Sequence, residues 1–325
     1  MGYITRYGSF WGMLPQTSGR IFWVAPAASY TVEGRTYVAS DGNDGLSPER
    51  AVLTTDYAVG LTTANVGDVI VLIPGAHTGT ATITLDVAGI TLTGIPGSTP
   101  LPGGRSNSGG PLNRSSITNT GTAGRIFTIT ADDVEIAYLD IQPTLAGGVG
   151  AYISMAADRT YIHDCSIVMD GTAATTTYGI WYYDDVTGVN SRGRIRNCYF
   201  QSGTVTTSGA NGPAIIAGGS VRGLTVENCT FELLGTAAWA DAILSTGITN
   251  ELTIRDCDFI TPTVATTVMT DAIDVTLATT NGGCKVFRCY FMEGSDAFEA
   301  TATLDIVAAE CYLANSTGSI LAASA

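Results

Sequence analysis

The sequence predicts an all-β chain wound into a parallel β-helix, and three observations carry that expectation. Six of the seven cysteines head one local pattern, with an apolar residue three positions before and an apolar or aromatic residue two after. The copies read IHDCSI at Cys165, IRNCYF at Cys198, VENCTF at Cys229, IRDCDF at Cys257, VFRCYF at Cys289 and AAECYL at Cys311, and they recur at intervals of 22 to 33 residues. Repeats of that length with unequal spacing describe a solenoid whose coils differ in their loops. Between the cysteine units runs a second column, GRIFT, GAYIS, GIWYY, PAIIA, DAILS, DAIDV and DAFEA, which places Ile126, Tyr152, Ile180, Ile215, Ile243, Ile273 and Phe298 at one recurring position. The runs are short and rich in Val, Ile, Thr and aromatics, are joined by Gly, Asn, Asp and Thr, and show almost no helical periodicity.

In chain order, residues 1–35 are expected to form an extended N-terminal arm, 36–66 an entry strand, turn and capping helix, and 67–325 the β-helix. The arm carries Phe10, Trp11, Met13, Leu14, Phe22 and Trp23, broken by Gly12, Pro15 and Gly19, so it cannot build a core of its own. It either lies along the flank of the β-helix or docks on another protein, where buried aromatics act as anchors. Thr54 or Thr55 is placed to cap the short helix, with Tyr57, Ala58 and Leu61 on its buried side. The DGNDG stretch, Asp41 to Gly45, reads as a tight turn, because a calcium loop of the EF-hand kind needs a ligand where Gly45 stands.

Within each later coil, the apolar residue three before the cysteine and the cysteine itself have opposite parity. A straight strand would put them on opposite faces, so a bend must lie between them. The residue just before the cysteine is Asp164, Asn197, Asn228, Asp256, Arg288 or Glu310, and Asn and Asp tolerate the left-handed backbone such a bend needs. The cysteine and the residue two later then point into a narrow interior, where a thiol serves as a small apolar side chain. Parallel Cβ vectors disfavour disulfides along the stack, and no Cys-x-x-Cys spacing offers a zinc site. No cofactor or resident metal is expected.

A net charge of −14 and a pI of about 4.3 set aside binding to a nucleic-acid backbone, which needs clustered Lys and Arg. No apolar run approaches the roughly 18 residues that span a bilayer, and the first thirty residues lack the basic start and apolar core of a secretory signal. Assembly in a cytoplasm is expected.

Over about residues 36–320 the chain resembles the pectate-lyase-like right-handed β-helix superfamily, in the repeats above and in YVASDGNDGLSPERAVLTTDYAV followed by VGDVIVLIPGAHTG. The opening, GYITRYGSFWGMLPQTSGRIFWVAPAASYTVEGRTYVASDGNDGLSPERA, also resembles β-helix proteins encoded among virion genes of marine tailed phages. The resemblance implies a right-handed β-helix and a structural role in a virion, displayed on the particle surface. The expected function is a capsid decoration or cement protein, a homotrimer fixed by its arm to the major capsid protein or another virion protein. About nine coils at 4.8 Å make a stub of roughly 43 Å, with no further C-terminal module, which suits that role. The alternative is a tailspike or fibre adhesin that binds, and in some cases cleaves, host surface polysaccharide. A free polysaccharide lyase is a third reading and lacks both a secretion signal and the family's catalytic pattern.

No residue is assigned a catalytic role. The Asn-Thr-Asp, Asp-Asp, Gly-His-Gly and Arg-x-Lys pattern of galacturonase-like relatives is absent. His163 falls in one column with Arg196, Glu227 and Arg255, which reads as an alternating charge ladder on the surface. The strongest acidic cluster is Asp271 and Asp274 in one coil with Asp296 and Glu299 in the next, extended by Asp241 one coil earlier. Stacked like charges shift a pKa or hold a cation, yet the same aspartates also suit a turn at the head of each strand. GIWYYDDV sets Trp181, Tyr182 and Tyr183 beside Asp184 and Asp185, an arrangement equally suited to a sugar platform and to a subunit contact.

Overall fold

Each coil is laid down by the same local rule. A strand with one buried central residue ends in a left-handed bend, a second strand turns inward from there, and a third returns the chain to the level of the next coil. In the computed structural model this gives three long parallel sheets of ten, nine and eight strands among the described residues. The described residues are 17–32, 34–95, 115–121, 125–143, 150–169, 177–183, 190–202, 212–218, 220–233, 241–246, 248–260, 271–275, 284–292, 296–299 and 306–314. A single coil shows the order: Glu135–Ala137 belongs to the ten-stranded sheet, Leu139–Pro143 to the nine-stranded, Gly150–Met155 to the eight-stranded, and Tyr161–His163 rejoins the first. The architecture is a right-handed parallel β-helix.

The bend between the first two strands is where the sequence placed it. Asp164, Asn197, Asn228, Asp256, Arg288 and Glu310 have φ between 49° and 55°, and Tyr138, at 56°, makes the same bend ahead of Leu139. The bend at one residue brings the side chain two before it and the one just after it into the same interior. Cys165, Cys198, Cys229, Cys257, Cys289 and Cys311 are all buried with free thiols, as is Cys284, and Leu139 takes the cysteine place one coil earlier. Each of the six column sulfurs lies within weak hydrogen-bond reach of a carbonyl one coil back, as Cys198 does with Ile162 O at 3.8 Å. Burial pushes the thiols of Cys165 and Cys229 well up, and that of Cys284 up to about 12. Two residues past the column cysteines, Phe200, Phe231, Phe259 and Phe291 stack face to face, with ring centroids 4.9 Å apart at each step.

The second recurring column needs a shift of register at its start. Ile180, Ile215, Ile243, Ile273 and Phe298 align as expected, but their partners in earlier coils are Phe127 and Ile153, not Ile126 and Tyr152. Ile126 and Tyr152 are buried one position earlier. A one-residue offset swaps the faces of a strand, so sequence alignment alone was ambiguous where both neighbours are apolar.

Two expectations at the N-terminal end are corrected. Ile21–Val24, assigned to an arm outside every coil, is the end strand of the ten-stranded sheet and pairs in parallel with Val69–Leu72. Phe22 and Trp23 are therefore only 2% and 3% exposed and are not free to anchor on a partner. Alternation sets Phe22 and Val24 toward the interior with Ile70 and Leu72. Trp23 lies on the outer face with Val69 and Val71, under Tyr30, Ala39 and Ala51. The cover is the segment 25–53, which folds back as an antiparallel hairpin, Ser29–Val32 with Arg35–Val38. Phe10, Trp11, Met13 and Leu14 lie outside the described residues.

The second correction concerns the capping helix, Thr55–Leu61. Thr54 is its N-cap, accepting from Tyr57 N at 3.3 Å, but the buried side is Thr55, Ala58 and Val59, with Leu61 partly buried and Tyr57 exposed. The helix is only about two turns long, so its buried face is set by where it crosses the open end of the stack. The DGNDG stretch is a brace. Asp41 accepts from Leu53 N, Thr54 N and Thr54 Oγ1, each at 2.9 Å, Asn43 donates to Val38 O and Ala51 O, and Gly45 makes the left-handed turn at φ 68°. Asp41 thus spends its oxygens on the backbone ahead of the helix.

Candidate functional site

Strand alternation turns one row of each sheet outward, and chemistry accessible from solvent must lie along those rows. On the eight-stranded sheet the outward row runs in register through Thr84, Thr128, Ser154, Trp181, Ile216, Leu244, Asp274 and Glu299. The fold brings Trp181 and Asp274, expected in separate clusters, into one row, with the apolar Ile216 and Leu244 between them. Three coil steps separate them, about 14 Å. Trp181 is half-buried, with the Arg125 guanidinium 5.8 Å from its ring and Tyr178 6.2 Å away at 54°.

The predicted acidic cluster divides into two rows. Asp241, Asp271 and Asp296 align in one, and Asp274 and Glu299 three positions further along their strands in another. Asp241 and Asp271 are 7% and 4% exposed, so their carboxylates are part of the strand corner rather than of a solvent-facing pair. The side chains of Asp296, Glu299 and Tyr183 lie outside the described residues, as do Asp184 and Asp185 altogether. Tyr182, next to Trp181, points inward and is fully buried. Among the described residues no group of three or more His, Cys, Asp and Glu is arranged to hold a metal ion.

The ten-stranded sheet carries the most developed polar array. His163, Arg196, Glu227 and Arg255 stand in successive coils as the column predicted. Sequence reading missed a second row two residues earlier, Glu135, Tyr161 and Arg194, which period-two spacing from the first row would have located. Glu227 is the hub. Arg194 Nε and Arg255 Nε reach its two oxygens at 2.7 and 2.8 Å, and Arg196 Nε stands 3.6 Å away. The Glu227 side chain is 3% exposed against 42–43% for the three arginines, so one sunken carboxylate faces three half-exposed guanidiniums. Burial alone would raise the Glu227 pKa, but hydrogen bonds from Arg194 and Arg255 outweigh it and hold the carboxyl below its usual range.

Two coils before Glu227, His163 lies between Glu135 Oε1 and Asp164 Oδ2, both at 2.7 Å, and stacks on Tyr161 at 4.3 Å. Burial works against its charged form, yet the two carboxylates raise its pKa, while the bond from His163 lowers that of Glu135. Both nitrogens of His163 are engaged by carboxylates, so the ring is a structural link and not a free base.

A third feature lies at the capped end. A groove of about 660 Å³ is walled by Ala25–Ala28, by Leu53–Asp56 at the start of the capping helix, and by His77–Ile83. His77 is buried, bonds Ile73 O through Nε2 at 2.7 Å, and is kept neutral by burial, which lowers its pKa. Thr78, Thr80, Thr82 and Thr118 add hydroxyls to a lining that also holds Ala81, Ile83, Ile117 and Ile126, and Thr78 and Thr118 bond each other at 3.2 Å.

No family model matches the sequence, and no curated protein matches it. Solved structures do. Pectin methylesterase PemA from Erwinia chrysanthemi superposes with a TM-score of 0.55 at 12% identity, over 95% of this chain and 92% of that one. An alginate lyase from Paenibacillus sp. str. FPU-7 gives 0.54 at 17% identity, over 79% and 91%. Geobacillus virus E2 ORF18 gives 0.37 at 14% identity, over 80% and 57%, too low to bear on function. At these identities the likeness is one of fold: the chain is a right-handed parallel β-helix similar in shape to proteins that act on polysaccharides.

Proposed function

We propose that this protein is a structural component of a tailed-bacteriophage virion, a head decoration or cement protein displayed on the particle as a homotrimer. In this reading residues 1–16, with Phe10, Trp11, Met13 and Leu14, grip the major capsid protein or another virion protein. The supporting observation is where that segment joins the fold. Thr17 Oγ1 donates to Gly67 O, Ser18 Oγ to Val66 O at 3.1 Å, and Arg20 N to Asp68 Oδ1 at 2.6 Å. The chain is thus fixed at the capped end of the stack before the segment begins, which is where a tether for a standing solenoid must attach. A second reading, a tailspike or fibre adhesin for host polysaccharide, is favoured by the row that unites Trp181 with Asp274.

Labelling of the protein on purified particles separates the two. Decoration predicts label over the whole head, and loss of that label when residues 1–16 are deleted while 17–325 stay folded. Label confined to the tail tip would transfer the assignment to the adhesin, and full head occupancy without residues 1–16 would overturn the anchoring role.

A further inference from the structure

The three long sheets differ in charge. The described strands of the nine-stranded sheet hold Asp140, Glu232 and Asp258 and no Lys or Arg, and those of the eight-stranded sheet likewise hold only acids. Arg194, Arg196, Arg255 and Lys285 all fall on the ten-stranded sheet, within four consecutive coils of a chain whose net charge is −14. Glu227 holds Arg194 and Arg255 through Nε, so these half-exposed cations stand at the surface already ordered, and a partner need not pay to fix them. Further along the stack the same face presents Val307, 47% exposed and in register with Lys285. The nine-stranded sheet presents Tyr290 and Tyr312, 40% and 52% exposed, in one outward row with Asp258. The two faces match coil by coil. Arg255 and Asp258 share one coil, Lys285 and Tyr290 the next, and Val307 and Tyr312 the one after. The pairs are cation with carboxylate, cation with aromatic ring, and apolar side chain with aromatic ring.

We propose that the cationic face of the ten-stranded sheet docks on the nine-stranded sheet of a second copy of this chain, with the two stacks parallel and level. Copies related by rotation about an axis parallel to the stack keep equal heights, so the coil of Arg255 in one meets the coil of Asp258 in the next. Faces that oppose each other in this way run their strands in opposite directions. The later outward row of the ten-stranded sheet therefore lies over the earlier outward row of the nine-stranded sheet: Arg255 over Asp258, Phe287 over Tyr290 and Ala309 over Tyr312. Lys285 stands beside Tyr290 at the same height. The cationic face cannot pair with itself, because that sets guanidinium against guanidinium, so the contact is heterologous and closes as a ring. The inference rests on the reading of the protein as a homotrimer and names the surface that builds it.

Sedimentation velocity of the full chain over a range of concentrations tests this, and a closed oligomer is expected. Tyr290→Lys, which sets a cation beside Lys285 of the next copy, should weaken association about tenfold or more. Tyr290→Glu removes the same ring but offers Lys285 a carboxylate, and should weaken association much less. Adding Lys285→Glu to Tyr290→Lys should restore the oligomer, because every contact then regains opposite charges. Both positions are exposed in the single chain, so circular dichroism of the variants should match that of the native protein. A native chain that stays monomeric at every concentration, or Lys and Glu variants at position 290 that weaken association equally, overturns the proposal. A ring of another size that Tyr290→Lys breaks and Lys285→Glu restores supports the interface and overturns the trimer, and labelling on particles reads the virion role separately, so each idea can fail alone.

Discussion

Phe231→Ala is expected to lower the unfolding free energy by about 3–5 kcal/mol. Phe231 is fully buried in the middle of the four-ring stack, with a neighbour 4.9 Å away on each side. Its removal opens a cavity that rigid adjoining coils cannot close, and it breaks two ring contacts at once, whereas Phe200→Ala, at the end of the stack, breaks one ring contact among the described residues and should cost less. Urea denaturation followed by circular dichroism measures both. In a solenoid the loss should also appear locally, as faster amide exchange in the coils on either side of Phe231 rather than throughout.

The double variant Arg194→Ala with Arg255→Ala should be nearly as damaging, at about 3 kcal/mol near neutral pH, because it leaves the sunken Glu227 carboxylate without its two hydrogen-bonded partners. The pH dependence identifies the cause. In the native protein the folded-state pKa of Glu227 lies below its ordinary value, so its contribution is present above the unfolded pKa and is lost as pH falls through the folded pKa. In the variant the stranded carboxyl titrates above its ordinary value instead. The stability gap between native and variant protein should therefore be widest near pH 7 and narrow on acidification. A gap that stays constant from pH 7 to pH 3 would show that lost packing, not the stranded charge, is responsible.

Much of this fold could be read from residues alone because the constraint repeats. A left-handed residue followed by an inward cysteine, and two later by an apolar or aromatic side chain, recurs from coil to coil, so six imperfect copies define the bend, the interior and the parallel stack. The same logic failed where the repeat begins. Phe22 and Trp23 sit in no cysteine unit, and nothing in the residues distinguishes an aromatic strand covered by the hairpin at Tyr30 and Tyr37 from an aromatic tether. The register of Ile126 and Tyr152 was lost because both candidate positions are apolar and buried. The site was less legible still. Period two could have added Glu135, Tyr161 and Arg194 to the charge ladder, but the union of Trp181 with Asp274 depends on how many coils lie between them. The groove at His77 depends on where a helix crosses the end of the stack, which no local pattern encodes.

Coils that pile up in register around a dry interior must shield their thiols from solvent, and thiol reactivity measures that shielding. Cys165, Cys198, Cys229, Cys257, Cys289 and Cys311 are all buried and unpaired in the structure. Under native conditions a small thiol reagent should leave all six unmodified over a time in which the urea-unfolded chain reacts completely. Rapid native labelling of several of these cysteines, or the recovery of disulfides between them, would contradict the account.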